Sequence, residues 1–164
     1  MADVRRLTAS DAEIYREIRL EGLDRHPEAF GASFDTEATE DIAFFAGRLT
    51  GSTVFGGFDG QALLGVAGCF TTTQEKERHK ATLFGMYVRE AARGKGLGKL
   101  LVEAVLKEAG NHAEIIRLTV VTTNAAARDL YERCGFECYG IEPKSLKVAG
   151  RYYDEALMYK HLRG

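Results

Sequence analysis

The most constraining stretch of this chain runs from Thr82 to Ala109. Thr82–Arg89 is an apolar run of strand length. Leu97, Leu100, Leu101, Ala104, Val105 and Ala109 then recur at the spacing of one helical face. Between the two lies Val88-Arg89-Glu90-Ala91-Ala92-Arg93-Gly94-Lys95-Gly96-Leu97-Gly98-Lys99. A strand must therefore turn through a glycine-rich loop directly into a core-facing helix. Amides at a helix start have no intrahelical partner and sit at the positive end of the dipole. Glycines let a large anion approach that backbone, and Arg93, Lys95 and Lys99 add positive charge. In physical terms the segment is a cradle for phosphate or pyrophosphate.

Spacing decides which cradle. A nucleotide-hydrolase loop needs G-x-x-x-x-G-K-[ST], but residue 93 is Arg and Lys99 is followed by Leu100. A dinucleotide fold needs G-x-G-x-x-G, and the third glycine here, Gly98, comes one residue early. The pattern that fits is [Arg/Gln]-x-x-Gly-x-[Gly/Ala], met by Arg93, Gly96 and Gly98.

The rest of the chain supplies a sheet around this unit. Val4–Leu7 reads as a strand. Ser10-Asp11-Ala12-Glu13 reads as a capping box, opening a helix that His26-Pro27 ends. A second helix is expected over Thr36–Leu49. Thr53–Phe58 and Gln61–Phe70 form a hairpin through Asp59-Gly60. Gln74–Lys80, with five charges and a His, is an exposed connection. Ile115–Val121 is a buried-type strand, Asn124 caps a helix to Cys134 closed by Gly135, and Phe136–Ile141 and Tyr152–Leu162 are the last strands. The order β-α-α-β-β-β-α-β-α-β-β indicates an α/β architecture (α+β in some schemes), a mixed sheet with helices on its faces.

Composition narrows the function classes. The chain has 164 residues, 45% apolar and 28% charged, and no Pro/Ser/Gly linker divides it, so one domain over 1–164 is expected. The net charge of −2 argues against a nucleic-acid binder. No apolar run reaches the ~20 residues of a membrane span, and the first residues lack a signal-peptide core. The three cysteines, Cys69, Cys134 and Cys138, are an odd count without a disulfide framework, which fits a reduced, cytoplasmic setting. Cys134 and Cys138 lack metal-site partners, and His26, His79, His112 and His161 are scattered, so no metal site is expected.

Two motifs together resemble the GNAT family of acetyl-CoA-dependent N-acetyltransferases. One is Leu83-Phe84-Gly85-Met86-Tyr87-Val88 with the loop that follows it. The other is L-x-V-x-x-x-N-x-x-A-x-x-L-Y-x-x-x-G-F, met at Leu118, Val120, Asn124, Ala127, Leu130, Tyr131, Gly135 and Phe136. The resemblance covers residues 82–136 and implies a mostly antiparallel central sheet flanked by helices. It implies acetyl-CoA as co-substrate, with the main chain of Met86, Tyr87 and Val88 pairing to the pantetheine arm. It also implies that the backbone of Arg93, Gly94, Lys95, Gly96, Leu97, Gly98 and Lys99 holds the pyrophosphate. Asn124 and Ala127 join the coenzyme-binding set, Asn124 beside the pantetheine. Tyr131 is implied as the general acid for the departing thiolate. Read on its own, Asn124 is also a plain helix N-cap and Tyr131 a core aromatic; cap and coenzyme contact are compatible.

The family transfers its acetyl group directly to a nucleophile, usually an amine, whose proton a base must first remove. Candidate walls of the acceptor site are the connection His26–Phe34 and the segment Lys144–Glu155, with Tyr152, Tyr153, Asp154 and Glu155. These groups suit a cationic acceptor such as a polyamine, aminoglycoside or lysine side chain. The alternatives are a hydroxyl acceptor, an amino acid carrying a phosphorus group, or a catalytically silent acyl-CoA-binding domain. A homodimer is expected, with the C-terminal strand Tyr152–Leu162 pairing across a two-fold axis.

Overall fold

The computed structural model describes residues 2–163. The apolar runs become the strands β1 (Asp3–Arg6), β2 (Thr53–Asp59), β3 (Ala62–Thr71), β4 (Lys80–Val88), β5 (Ile115–Val121), β6 (Glu137–Val148) and β7 (Arg151–His161). They form one sheet in the order β1-β2-β3-β4-β5-β7-β6. Among the described residues β4 and β5 are the one parallel pair, and the other neighbours are antiparallel. A parallel pair needs a crossover, and the connection from β4 to β5 contains the helix α4 (Leu97–Ala109). The remaining helices are α1 (Ala12–Arg25), α2 (Phe34–Glu37), α3 (Ile42–Gly51) and α5 (Ala125–Arg133).

Two apolar cores divide the helices between the faces of the sheet. Tyr15, Ile18 and Leu23 of α1 pack with Phe45 and Leu49 of α3 against Val54, Leu63 and Val66. Leu97, Leu101, Val102, Val105 and Ala109 of α4 pack with Tyr131 of α5 against Ile116, Leu118 and Met158. The α4 stripe differs from its expected form at one position: Leu100 is 46% exposed, while Val102 is 0% exposed. At about 100° per residue the buried arc runs from Leu97 through Leu101, Val105 and Ala109 to Val102, which leaves Leu100 outside it.

Side-chain caps moved two other boundaries. The N-terminal box uses Thr8 and Asp11, not Ser10 and Glu13: the Thr8 amide donates to Asp11 Oδ2 at 2.7 Å, over a short 3₁₀ turn that runs into α1. Asp11 is held there by Arg5 at 3.0 Å. The expected helix over 36–49 is two helices. Ser33 caps α2 through the Thr36 amide, and Asp41 accepts from the Phe44 amide at 3.1 Å to restart the chain as α3. A side chain that satisfies a backbone donor locally competes with continuing the helix.

The helices α1, α2 and α3 are tied by one carboxylate. Glu37 accepts from Arg19 Nε and Nη2, both at 3.1 Å, and from Arg48 Nη1 and Nη2 at 3.2 and 3.3 Å. At the far edge, β6 runs past its expected end to Val148, with its register slipping between Glu142 and Leu146 and Lys144 at φ +48°. β7 lies between β5 and β6, so both its edges are bonded. The expected two-fold pairing through Tyr152–Leu162 therefore has no free edge to use, and β6 is the open strand on that side.

Candidate coenzyme and acceptor site

The site begins where two parallel strands part. Lys80, Ala81 and Thr82 pair with Ile115, Ile116 and Arg117, and there the β4–β5 ladder stops. β5 continues straight because β7 pairs with it as far as Val121. β4 turns away because it carries an extra residue: Val66 faces Tyr87 while Gly68 faces Phe84. Gly85 takes the bulge conformation at φ +65°, which few residues with a Cβ adopt. The main chain of Leu83–Val88 is thereby left without a strand partner on its β5 side, although Val88 O accepts from Arg93 Nε. A glycine inside a strand pattern is a bulge signal, and Gly85 was legible in those terms.

A cleft of about 750 Å³ opens at this divergence. From β4 it takes Met86, Tyr87 and Val88, and from the loop Arg93, Gly94, Gly96, Leu97, Gly98 and Lys99. Asn124, Ala127 and Tyr131 form the opposite wall, together with Leu130, whose contact with the cleft only the packing reveals. Lys95 is exposed and lies outside the lining.

The loop meets α4 with donors to spare. Gly96 is the N-cap at φ +83° and has no side chain to offer; the first helical bond is from the Leu100 amide to Gly96 O at 3.2 Å. The amides of Leu97, Gly98 and Lys99 have no partner among the described residues. Gly98 is needed for a different reason, since a Cβ there would meet Leu130 Cδ2 at 3.1 Å and Met86 Cε at 3.2 Å. Arg93 is already engaged. Its amide donates to Glu90 O at 3.2 Å, its Nε to Val88 O at 2.9 Å, and its Nη2 lies 3.2 Å from His26 Nε2. Its guanidinium thereby braces the end of β4 against His26.

Asn124 Oδ1 accepts from the Ala127 amide at 3.2 Å, so the cap is real, and its Nδ2 remains available. Tyr131 is 5% exposed, with its ring edge against Phe136 at 5.8 Å. Its hydroxyl makes no hydrogen bond among the described residues, and burial raises the phenol well above its ordinary range. Cys134 is likewise pushed up by burial, and Cys69 to about 11, which leaves both as thiols rather than nucleophiles.

On the α1 side, Tyr87 Oη donates to Glu21 Oε2 at 2.7 Å. The turn Pro27–Ala29 reaches across to β5 and β6, and His26, Glu28 and Phe30 line the cleft. The other expected acceptor wall, Lys144–Glu155, contributes nothing to the lining.

Residues 14–136 match the model of the acetyltransferase (GNAT) family. The chain belongs to this family. The GNAT match ends at Phe136, but the likeness of fold extends over β6 and β7. A solved acetyltransferase of the GNAT family from Streptococcus pneumoniae superposes with a TM-score of 0.87 at 21% identity, over 100% of both chains. A GNAT superfamily phosphinothricin acetyltransferase from Sinorhizobium meliloti, in complex with AcCoA, gives 0.84 at 22% identity, over 99% of this chain and 89% of its own. Among curated relatives, an L-methionine sulfoximine/L-methionine sulfone acetyltransferase of Pseudomonas aeruginosa is 35% identical over 78 residues. That stretch is 47% of this chain and 45% of the relative, so the chain spans about half the length of that protein. Among the described residues no helix is long and apolar enough to cross a membrane.

Proposed function

We propose that this GNAT chain is an acetyl-CoA-dependent N-acetyltransferase that passes the acetyl group directly to an amine. The observation that carries the reading is the parting of β4 from β5 beside a helix start with free amides. Acetyl-CoA supplies an activated acetyl group. The amides of Leu97, Gly98 and Lys99 suit its pyrophosphate, and the main chain of Met86–Val88, which has no strand partner on the β5 side, suits the amide groups of a pantetheine arm. Tyr131 holds its proton at neutral pH and gives it to the departing sulfur as the carbon–sulfur bond breaks. The amine loses its own proton, and His26 and Glu28 are the cleft-lining groups on the acceptor side that can accept it. The S. meliloti neighbour with AcCoA and the amino-acid acetyltransferase from P. aeruginosa support this reading.

We extend the proposal to a cytoplasmic location, which three unpaired cysteines favour, and to a homodimer. The test of the activity is thiol release from acetyl-CoA against a panel of amino acids, polyamines, aminoglycosides and peptides. Release with at least one amine is expected, with the acetylated amine found by mass spectrometry. Coenzyme binding without release on any member would make the chain a silent acyl-CoA binder.

A further inference from the structure

We infer that Arg19 binds a carboxylate on the acceptor, so that the amine acetylated by this protein belongs to an amino acid or a similarly acidic molecule. The inference rests on the transfer reading above and narrows its acceptor. Arg19 lies on α1 and is 7% exposed, and Glu37 is 4% exposed. The Arg19 guanidinium spends Nε and Nη2 on the two oxygens of Glu37. Arg48 takes the same two oxygens from another side. Two guanidiniums thus share one carboxylate, and arginine does not shed its charge by losing a proton. Glu21, two residues along α1, is occupied by Tyr87 and Arg89. One positive charge remains in excess in a largely buried place.

The free corner of Arg19 faces the opened strand. Nη1 has no hydrogen bond among the described residues. It keeps a trace of exposure behind Phe30, while Arg19 as a whole is 7% exposed and neither Arg19 nor Gly85 is itself among the cleft-lining residues. It lies 3.4 Å from where a Cβ on Gly85 would stand, at the bulge that turns β4 from β5. The guanidinium carbon sits 5.2 Å from the centre of the Phe30 ring, and Phe30 lines the cleft. Glu37 fixes the fork from behind, and the bare Gly85 leaves the room of one Cβ beside Nη1. A planar, oriented, charged donor of this kind suits a carboxylate oxygen.

The test uses pairs of amines that differ only in the carboxylate: L-methionine with 3-methylthiopropylamine, L-phenylalanine with 2-phenylethylamine, and L-lysine with cadaverine. Thiol release should give the carboxylated member of a used pair the higher kcat/KM, by about 10- to 100-fold, carried by KM. Arg19→Lys keeps a charge beside Glu37 but removes the fork, and should collapse that ratio toward one. Gly85→Ala, which covers Nη1, should shrink it without touching the Glu37 pair. Equal kcat/KM within every pair for the wild type would overturn the inference, as would an Arg19→Lys ratio equal to wild type. Calorimetric titration of the three amino acids in the presence of CoA separates the two readings if nothing is acetylated. Binding that Arg19→Lys abolishes would then uphold the carboxylate site and defeat the transfer reading. Absence of binding would overturn the site.

Discussion

Tyr131 meets two demands that burial satisfies together. Its ring packs on Phe136, and desolvation keeps its phenol protonated far above neutral pH. Tyr131→Phe keeps the ring and removes the O–H, so kcat should fall roughly 10- to 100-fold while acetyl-CoA affinity stays within error. Thiol-release kinetics with separate coenzyme titration checks this, and a wild-type kcat would leave Tyr131 a packing residue. The same raised pKa affects stability. The unfolded phenol ionises near ~10 and the folded one only above that, so the folded state is undiminished below pH 10 and loses stability as pH rises beyond it. Melting between pH 8 and 11 should therefore show a shallower alkaline decline for the Phe variant. The two loop glycines predict different failures. Gly96 has φ +83° and open space around its Cβ direction, so Gly96→Val costs backbone strain of about 1–2 kcal/mol. Gly98→Val instead displaces Leu130 and Met86, two walls of the cleft. Both should weaken CoA by at least about tenfold in calorimetry, and unchanged affinity in Gly96→Val would remove the cradle.

The elements hold the site through their ends more than through their middles. α5 starts at Asn124, whose Oδ1 caps it while its Nδ2 stays free. Asn124→Ala should lower stability by about 1 kcal/mol, the usual worth of such a cap. Asn124→Asp should hold the melting temperature and lose coenzyme affinity, because the acceptor is kept and the donor is gone. A cap with no coenzyme role would leave CoA binding by the Asp variant at the wild-type level. On the other face, α1, α2 and α3 converge on Glu37. Burial alone would raise this carboxyl, but the Arg19 and Arg48 guanidiniums overcome that and hold it below its ordinary value. A lowered carboxylate stabilises the fold above its unfolded pKa and loses that contribution as pH falls through the folded one. Glu37→Gln should therefore cost about 3 kcal/mol at pH 7, leaving two guanidiniums unpaired, and much less near pH 2. Urea melts at the two pH values measure the difference.

In the whole molecule, one sheet separates two jobs. The α4–α5 face carries the proposed coenzyme cradle, the α1–α3 face the proposed acceptor walls, and the parting of β4 and β5 lies between them. The open edge at β6, with Tyr139 and Ile141 exposed, is the surface for the proposed two-fold pairing. Light scattering should report twice the chain mass of 18.1 kDa, reduced to that mass by Ile141→Lys. A wild-type particle of chain mass at high micromolar concentration would refute the dimer. Much of this plan was readable from local chemistry. The hairpin at Asp59-Gly60, the strand–loop–helix unit and the Asn124 cap depend on neighbours within a few residues, and periodicity and turn residues report those directly. The place of the last strands was not readable: β6 and β7 form a local hairpin around Ala149-Gly150, but β7 joins the sheet by pairing with β5, whose residues lie far away in the chain. The break between α2 and α3 was missed because Asp41 reads as one more charge on a helix, although the apolar positions Ile42, Phe44, Phe45 and Leu49 all follow it. Arg19 is the clearest division. In the sequence it is one charge on an amphipathic helix, and only folding brings Glu37, Arg48 and the bulge at Gly85 around it. The sequence by itself determined most of the elements and the family, and it proposed the anion cradle. The tertiary structure alone decided the partners of Arg19, Arg93 and β7, because each depends on an element that a local pattern cannot see.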